Sequence, residues 1–229
     1  MIDNSDSYER NRKMAKYILF DLDGTLTDPK GGITKSVQYA LRKFEITVDD
    51  PDSLTNFIGP PLKNSFKGFY GFDDEDAESA VTEYRKYFSE KGIYENAIFD
   101  GIDEMLKALR DAGKTIILAT SKPRVYAGQI LKHFNIYDYF TFVSGSELDG
   151  SRTEKYEVIK YALEQNNITD LSSVVMVGDR EHDILGAKKM GVASIGVLFG
   201  YGDYAELSDA GADVIVSDVA ELKSVLQEF

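Results

Sequence analysis

Two aspartates stand two positions apart at the end of the first apolar run of the chain, in the sequence YILFDLDGTLT (17–27). Side chains two positions apart in an extended segment point to the same side, so Asp21 and Asp23 are expected to lie close together. Two neighbouring carboxylates repel each other, which destabilises the folded chain. The pair is therefore expected to have a functional reason. A pair of this kind can divide catalytic work, since one carboxylate can attack as a nucleophile while the other exchanges protons.

Other polar residues that could assist such chemistry follow two later apolar runs or begin a predicted helix between them. They are Thr120, Ser121, Lys155, Asp179 and Asp183. Each of them alone also has a simpler explanation, an ordinary polar turn or a solvated helix face. Acids after two separate strands, with a hydroxyl after a third, are much more specific in combination than any single member.

Short apolar runs alternate with helical patterns along most of the chain. Six runs have the composition of strands that are buried on both faces: 16–23, 114–120, 139–145, 173–179, 193–198 and 212–217. Apolar residues at helical spacing predict further helices that begin near residues 102, 158 and 219. This alternation predicts an α/β fold, a parallel Rossmann-like sheet flanked by helices. Sites in such sheets lie at the carboxyl ends of the strands, where the polar residues named above would meet.

One long interval interrupts the alternation. From about residue 29 to residue 99 the sequence contains no convincing buried strand, but it contains two clear helical patterns, at 33–44 and 77–88. We expect a helical cap inserted after the first strand, because a single crossover does not need so many residues. Packing of both helices onto the common core is the alternative. The predicted boundaries are a flexible N-terminal tail at 1–13, an α/β catalytic core at 14–28 and 100–229, and a helical cap at 29–99.

Composition narrows the classes of function. The chain has 229 residues, 43% of them hydrophobic, which is enough for a sizeable core. A formal charge of −13 disfavours binding to a nucleic acid polymer or to an anionic membrane. The chain has no cysteine and two histidines, so thiolate sites are excluded and oxygen atoms are the expected metal ligands. The polar N-terminus and the absence of a long apolar run predict a cytoplasmic protein.

The whole pattern resembles the haloacid dehalogenase-like hydrolase superfamily, and in particular its phosphoglycolate phosphatase-like branch. The resemblance spans residue 17 to about residue 217, and it rests on Asp-Leu-Asp-Gly-Thr (21–25), a Thr or Ser after the second strand, a distant lysine and Gly-Asp-x-x-x-Asp (178–183). The stretch LTDPKGGITKSVQYALRKFEI (26–46) supports the branch. Tyrosine follows Lys155 where many relatives have proline, so Arg152 and Lys160 remain alternatives for the lysine position.

The resemblance implies a Mg²⁺-dependent phosphatase that works through an aspartyl-phosphate. Asp21 would be the nucleophile, and Asp23 would be the general acid and base. Mg²⁺ would be held by the carboxylate of Asp21, the backbone carbonyl of Asp23 and the carboxylate of Asp179. Asp183 would support the metal site through a water molecule or through a contact with one of these ligands. Gly24, Thr25 and Thr120 or its neighbour Ser121 would bind the phosphoryl group, and Lys155 would be a catalytic residue that neutralises the charge developing on the transferred group.

The expected substrate is a small phosphorylated metabolite, with phosphoglycolate first, a nucleoside monophosphate next and a sugar phosphate third. A cap that closes over the site excludes bulky substrates. The stretch FIGPPLKNSF (57–66) could set specificity, and Lys63 or Arg124 could bind a substrate carboxylate, although ordinary solvated cations are the simpler interpretation. No protein partner is predicted. Two other functions stay open: a phosphosugar mutase of the same fold, and a noncatalytic module that binds a phosphate ligand or a protein.

Overall fold

The computed structural model describes residues 15–229, and the predicted tail at 1–13 and Met14 lie outside the described residues. The strands of this part of the chain are β1 (Tyr17–Phe20), β2 (Thr27–Asp28), β3 (Ala97–Ile98), β4 (Thr115–Pro123), β5 (Phe142–Ser146), β6 (Val174–Gly178), β7 (Ala193–Val197) and β8 (Val214–Val216). Its α-helices are α1 (Lys30–Arg42), α2 (Leu62–Tyr70), α3 (Asp74–Glu90), α4 (Ile102–Asp111), α5 (Arg124–His133), α6 (Lys155–Gln165), α7 (Glu181–Met190), α8 (Tyr204–Ala210) and α9 (Val219–Glu228). Among the described residues, no helix has both the length and the apolar character that crossing a membrane requires.

Six strands form one parallel sheet in the order β5-β4-β1-β6-β7-β8. The chain runs from β1 to β4 and β5 on one side, and then to β6, β7 and β8 on the other. The direction of winding therefore reverses at β1, and the carboxyl end of this strand is the switch point where such folds place their sites. The predicted α/β fold, with a parallel sheet flanked by helices, is confirmed.

Helices cover both faces of the sheet. Ile18 and Phe20 of β1 belong to one apolar cluster, together with Leu106 of α4. Leu19 between them belongs to another cluster on the opposite face, together with Val158 of α6. All five side chains are fully buried. Burial from both sides explains why β1 is apolar at every position.

Residues 29–96, which lie between β2 and β3, form a helical insert within the range 29–99 predicted for the cap. Its two ends are joined, because β2 and β3 pair as antiparallel strands with Thr27 opposite Ile98 and Asp28 opposite Ala97. The insert contains α1, α2, α3 and a 3₁₀ helix at Pro51–Phe57. Its separation from the core as a cap domain stays a prediction.

The insert has one α-helix more than the sequence pattern predicts. Helix α2 has nine residues and buries only Ser65 and Phe66, so it is too short to give a clear period. Aromatic packing holds it in place: the ring of Phe66 lies 5.0 Å from that of Phe57 and 6.0 Å from that of Phe72. Rings at such distances pack favourably and fix the position of the segment 57–66.

Two strand ends differ from the prediction in a way that matters for the site. β1 ends at Phe20, before the predicted end at residue 23, and the backbone turns at residues 24–26. β4 continues to Pro123, beyond the predicted end at Thr120, with irregular pairing between Thr120 and Pro123. The carboxyl end of β4 therefore extends alongside the turn that follows β1.

Candidate active site

Three aspartates converge at the carboxyl edge of the sheet. Asp21 directly follows β1, Asp179 directly follows β6, and Asp183 lies in the first turn of α7. Their side chains are buried, and one carboxylate oxygen from each lies within 4.8 Å of the others. The structure thus brings together three of the residues that the sequence offered as metal ligands.

Lys155, the first residue of α6, neutralises part of this cluster. Its Nζ lies 2.7 Å from Oδ1 of Asp21, 2.6 Å from Oδ1 of Asp183 and 3.2 Å from the carbonyl oxygen of Ala119. Burial alone lowers the pKa of a lysine, but the charges of Asp183 and Asp21 outweigh it, so the pKa of Lys155 is raised. Lys155 is therefore a buried cation that fixes the carboxylate of Asp21.

The two cations that the sequence left as alternatives lie elsewhere. Arg152 donates a short hydrogen bond to the carboxylate of Glu147. Lys160 forms a long contact of 3.8 Å with Glu164, and both side chains are about 60% exposed (60% and 59%). Of the three candidates, Lys155 is the one that reaches Asp21.

The hydroxyl candidates lie at the end of β4. Thr120 is buried, and its Oγ1 accepts a hydrogen bond from the backbone N–H of Lys122 at 3.2 Å. Ser121 lies beside a large cavity, and its carbonyl oxygen accepts a hydrogen bond from Oγ of Ser146 at 2.7 Å. Contact of either hydroxyl with a phosphoryl group stays a prediction.

The second aspartate of the first motif, Asp23, stands directly before a tight turn at residues 24–26 and forms a bridge with Thr27. The carbonyl oxygen of Leu22 accepts hydrogen bonds from the backbone N–H groups of Leu26 and Thr27, at 2.9 and 3.0 Å. The N–H of Gly24 donates to the carbonyl oxygen of Thr27 at 2.7 Å. Asp23 itself lies at the wall of the cavity, and the charge of Asp21 acts on its carboxyl group.

The two carboxylate oxygens of Asp23 have different surroundings. Oδ2 accepts a hydrogen bond from Nζ of Lys122 at 2.5 Å, whereas Oδ1 is buried and has no hydrogen-bond partner among the described residues. Burial raises the pKa of Asp23, and the negative charge of Asp21 raises it further. The positive charge of Lys122 lowers it, but the net shift of the pKa is upward. Sequence reasoning did not assign Lys122 to the site, although its place directly after Ser121 was an available signal.

Close backbone packing fixes Asp179. Gly24 has a φ of 82°, in the left-handed region, and a Cβ there would lie 2.1 Å from Oδ2 of Asp179. The backbone N–H of Tyr201 donates to that oxygen at 2.8 Å, and Oγ1 of Thr25 donates to Oδ1 at 3.4 Å. Burial, with Asp183 and Asp21 nearby, raises the pKa of Asp179 well above its ordinary value. Gly24 is thus required for close approach to a candidate metal ligand.

The loop after β7 completes this packing, and sequence reasoning missed its contribution. A Cβ at Gly200 would lie 2.3 Å from the carbonyl oxygen of Gly24 and 2.4 Å from Cβ of Asp179. Sequence reasoning treated Gly200 only as part of the turn from strand to helix. The available signal was a glycine that follows a strand of the sheet at the edge where Asp179 lies.

The donor set suits a hard divalent cation. Asp21, Asp179 and Asp183 offer carboxylate oxygens at short mutual distances, whereas Lys155 supplies a single positive charge. Burial of three acids beside one cation is unfavourable for their ionised forms, and a dication with oxygen ligands would remove this cost. The residues present therefore fit Mg²⁺.

A cavity of about 470 Å³ lies against the helical insert and reaches Asp23. Its wall includes four aromatic side chains: Phe57, Tyr84, Phe88 and Tyr126. Residues 59–63 of the stretch FIGPPLKNSF also line it. The volume is within the range of about 300–1,000 Å³ that is usual for pockets that bind small molecules.

Comparison with known proteins places the chain in a family. The model of the family described as haloacid dehalogenase-like hydrolase matches residues 18–197. A 5′-nucleotidase of Pseudomonas aeruginosa is 48% identical over 210 residues, which cover 92% of this chain and 95% of that protein. The tyrosine-protein kinase PtkA of Mycobacterium tuberculosis is 38% identical over 90% of this chain and 69% of its own length. The crystal structure of a predicted phosphatase from Clostridium acetobutylicum has a TM-score of 0.93 and 50% identity, and the match covers 95% of this chain and 100% of that one. The chain therefore belongs to the haloacid dehalogenase-like hydrolase family, and it is an enzyme of the phosphatase type.

Proposed function

We propose that this protein is a Mg²⁺-dependent phosphatase that hydrolyses small phosphomonoesters, nucleoside 5′-monophosphates first among them, through an aspartyl-phosphate on Asp21. The observation that carries the proposal is the convergence of Asp21, Asp179, Asp183 and Lys155 at the switch point of the sheet, beside a cavity whose wall includes Asp23.

The first step forms a bond between the carboxylate of Asp21 and the phosphorus atom. The contact of 2.7 Å from Lys155 to Oδ1 orients this carboxylate, and the cation also stabilises the charge of the transferred group. As the new bond forms, the bond from phosphorus to the ester oxygen breaks, and its electron pair leaves with that oxygen. Mg²⁺, when bound by Asp21 and Asp179, supplies neutralisation of the charge on the phosphoryl oxygens.

Asp23 exchanges the protons. Its raised pKa favours a protonated carboxyl group, and the buried Oδ1 is the oxygen that can carry the proton, since Lys122 holds Oδ2. Asp23 gives this proton to the departing alkoxide, and the alcohol leaves. It then takes a proton from a water molecule whose oxygen attacks phosphorus, which releases inorganic phosphate and restores Asp21.

The cavity and one of the relatives support a nucleotide substrate. The half-buried ring of Tyr126 in the cavity wall offers flat apolar surface for a base. A relative with 48% identity is named a 5′-nucleotidase, so nucleoside 5′-monophosphates move ahead of phosphoglycolate and of sugar phosphates in the order of expected substrates. The cytoplasmic location stays a prediction.

A panel of phosphomonoesters tests the proposal, with inorganic phosphate measured in the presence of Mg²⁺ or of a chelator. We expect Mg²⁺-dependent phosphate release, and we expect Asp21→Asn to lower kcat by at least about 10³-fold while the fold is kept. The matched control is Asp209→Asn on α8, which changes an exposed aspartate. A wild-type rate in the Asp21→Asn variant would contradict the nucleophile.

The same panel separates the phosphatase from each of the alternatives. A phosphosugar mutase moves the phosphoryl group to another hydroxyl of the sugar without steady release of phosphate. A noncatalytic binding module releases phosphate from none of the esters. A protein kinase activity, as the name of PtkA indicates for that relative, would require transfer to a protein side chain and would leave the small esters intact.

A further inference from the structure

The cavity beside Asp23 is lined by more negative than positive groups. Besides Asp23, three carboxylates are in its wall: Glu78, Glu147 and Asp149. Hydrogen bonds from the backbone N–H and the hydroxyl of Ser151 lower the pKa of Asp149, so this group remains ionised. A substrate in this cavity therefore meets fixed negative charge in addition to the catalytic carboxylates.

The positive groups of the described lining already have partners. Lys63 contacts Glu78 at 2.7 Å and Asp74 at 3.3 Å. The guanidinium of Arg85 donates to the carbonyl oxygen of Leu148 at 2.9 Å. Lys122, the third cation of the lining, holds Asp23. A second anionic group on a substrate would compete with a carboxylate of the protein for Lys63 and Lys122, whereas Arg85 keeps its charge beside a neutral carbonyl.

Glu147 occupies a place that a substrate anion could otherwise take. Its Oε1 accepts a short hydrogen bond from Nη2 of Arg152 and lies 3.5 Å from Nε of Arg124. The loop holds Arg152 in this position at a backbone cost, since its φ of 56° lies in the left-handed region. The guanidinium also packs 3.9 Å from the centre of the Tyr161 ring. Two arginines are thus committed to a carboxylate of the protein itself.

We propose that this enzyme selects phosphomonoesters whose leaving alcohol carries no second negative charge, and that Glu147 enforces this selection. The proposal rests on the proposed phosphatase function and narrows its substrate class to neutral alcohols, such as nucleosides. Glu147 acts by holding Arg124 and Arg152, so that neither guanidinium is available to a second anion. The sequence suggested that Arg124 could bind a substrate carboxylate. In this proposal Arg124 pairs with Glu147 and does not bind the substrate.

The expected discrimination against a second carboxylate is limited by the exposure of Glu147 and Arg124 to solvent. The side chain of Glu147 is 35% exposed and that of Arg124 is 56% exposed, so solvent screens part of the interaction. We expect discrimination on the order of tenfold per carboxylate, since charges near a protein surface interact much more weakly than buried ones.

Three pairs of substrates test the selection, since the members of each pair have similar sizes and differ by a carboxylate. They are glycerol 3-phosphate with 3-phosphoglycerate, glucose 6-phosphate with 6-phosphogluconate, and uridine 5′-monophosphate with orotidine 5′-monophosphate. The measurement is kcat/KM for each ester in the presence of Mg²⁺. We expect the neutral member to be preferred in every pair, and by about tenfold or more in at least one.

Variants of Glu147 identify the residue responsible. Glu147→Gln should reduce the preference by at least about fivefold, because it removes the charge and releases the two arginines. Glu147→Asp keeps the charge, so its preference should stay closer to that of the wild type. Glu164→Gln on the exposed face of α6 is the matched control and should leave every preference unchanged.

The outcomes separate this inference from the phosphatase proposal. Phosphate release at equal rates within all three pairs overturns the selection, and so does a Glu147→Gln variant that keeps the wild-type preference. Release of phosphate from none of the six esters counts against the phosphatase function itself. If Glu147→Gln does not fold, the three wild-type comparisons still decide whether the enzyme rejects a second anion.

Discussion

Replacement of Lys155 by methionine removes the cation from the buried carboxylate cluster. In the wild type its Nζ contacts Asp21 at 2.7 Å and Asp183 at 2.6 Å, and the three side chains are 6% exposed or less. Methionine fills a similar volume without charge, so the change isolates the electrostatic contribution. The carboxylates of the metal-free variant would be left buried without their positive partner.

The expected loss of stability is large. Removal of one partner from a buried ion pair costs about 3–5 kcal/mol, and Lys155 has two such partners. In a domain of this size each 1 kcal/mol changes Tm by about 2–4 °C, so the metal-free variant should melt about 6–20 °C below the wild type. The exposed pair of Lys160 and Glu164, at 3.8 Å, is expected to contribute about 0–1 kcal/mol.

The dependence on pH has a definite sign. The raised pKa of Lys155 means that its contribution is complete at any pH below the ordinary lysine value of 10.5 and is lost only as pH rises through the higher folded-state value. In the variant, the carboxylates near position 155 can relieve the cost by taking up protons. The stability difference between the variant and the wild type should therefore be larger at pH 8 than at pH 4.5.

Thermal and urea unfolding in a chelator measure this difference, with Lys160→Met as the matched control. Urea midpoints at equal slopes give the change in the free energy of unfolding. A Lys155→Met protein that stays within about 1 kcal/mol of the wild type at pH 8, as the control should, would refute the assignment of Lys155 as the buried counter-ion.

Three further changes test individual features of the site. Asp179→Asn should stabilise the metal-free protein at pH 8 but not at pH 4, because the raised pKa of Asp179 makes ionisation of the folded protein unfavourable as pH rises above the ordinary value of 3.8; thermal unfolding in a chelator measures this, and a variant less stable than the wild type at pH 8 would count against it. Lys122→Met should move the alkaline limb of the kcat/KM profile to higher pH, because Lys122 opposes the rise in the pKa of Asp23; an unmoved limb would separate Lys122 from proton transfer. Gly24→Ala should lower the free energy of unfolding by about 1–3 kcal/mol and reduce the rate of phosphate release, because of its φ of 82° and the contact of 2.1 Å. Gly68→Ala in α2, where a Cβ would meet nothing within 4 Å, is the control and should be neutral or stabilising in the same unfolding assay.

The features that the sequence predicts well are those with local causes. β1 and β6 are buried on both faces, so each appears as a continuous apolar run, and the acid after each run is placed by the strand itself. The positions of Asp21 and Asp179 at the carboxyl edge of the sheet can therefore be predicted from the sequence. Lys155 was placed by its motif and by the predicted start of α6, and the structure brings it to Asp21.

The features that the sequence does not predict depend on contacts between distant segments. The pairing of Asp23 with Lys122 requires a turn after β1 and an extension of β4, neither of which the apolar pattern indicates. The packing of Gly200 against Gly24 joins segments that are far apart in the chain. Helix α2 is held by aromatic contacts and has too few buried residues to show a helical period.

Covalent attack by Asp21 is measured most directly by trapping the phosphoenzyme. The enzyme is quenched in acid during turnover with Mg²⁺ and an active ester from the panel, treated with borohydride, and digested with trypsin for mass spectrometry. We predict that the peptide of residues 17–30 carries the phosphoryl group before reduction and a reduced side chain at Asp21 after it, and that the Asp21→Asn variant shows neither. Rapid phosphate release with no modification of Asp21 at any quench time, or a phosphoryl group on a different residue, would contradict this mechanism.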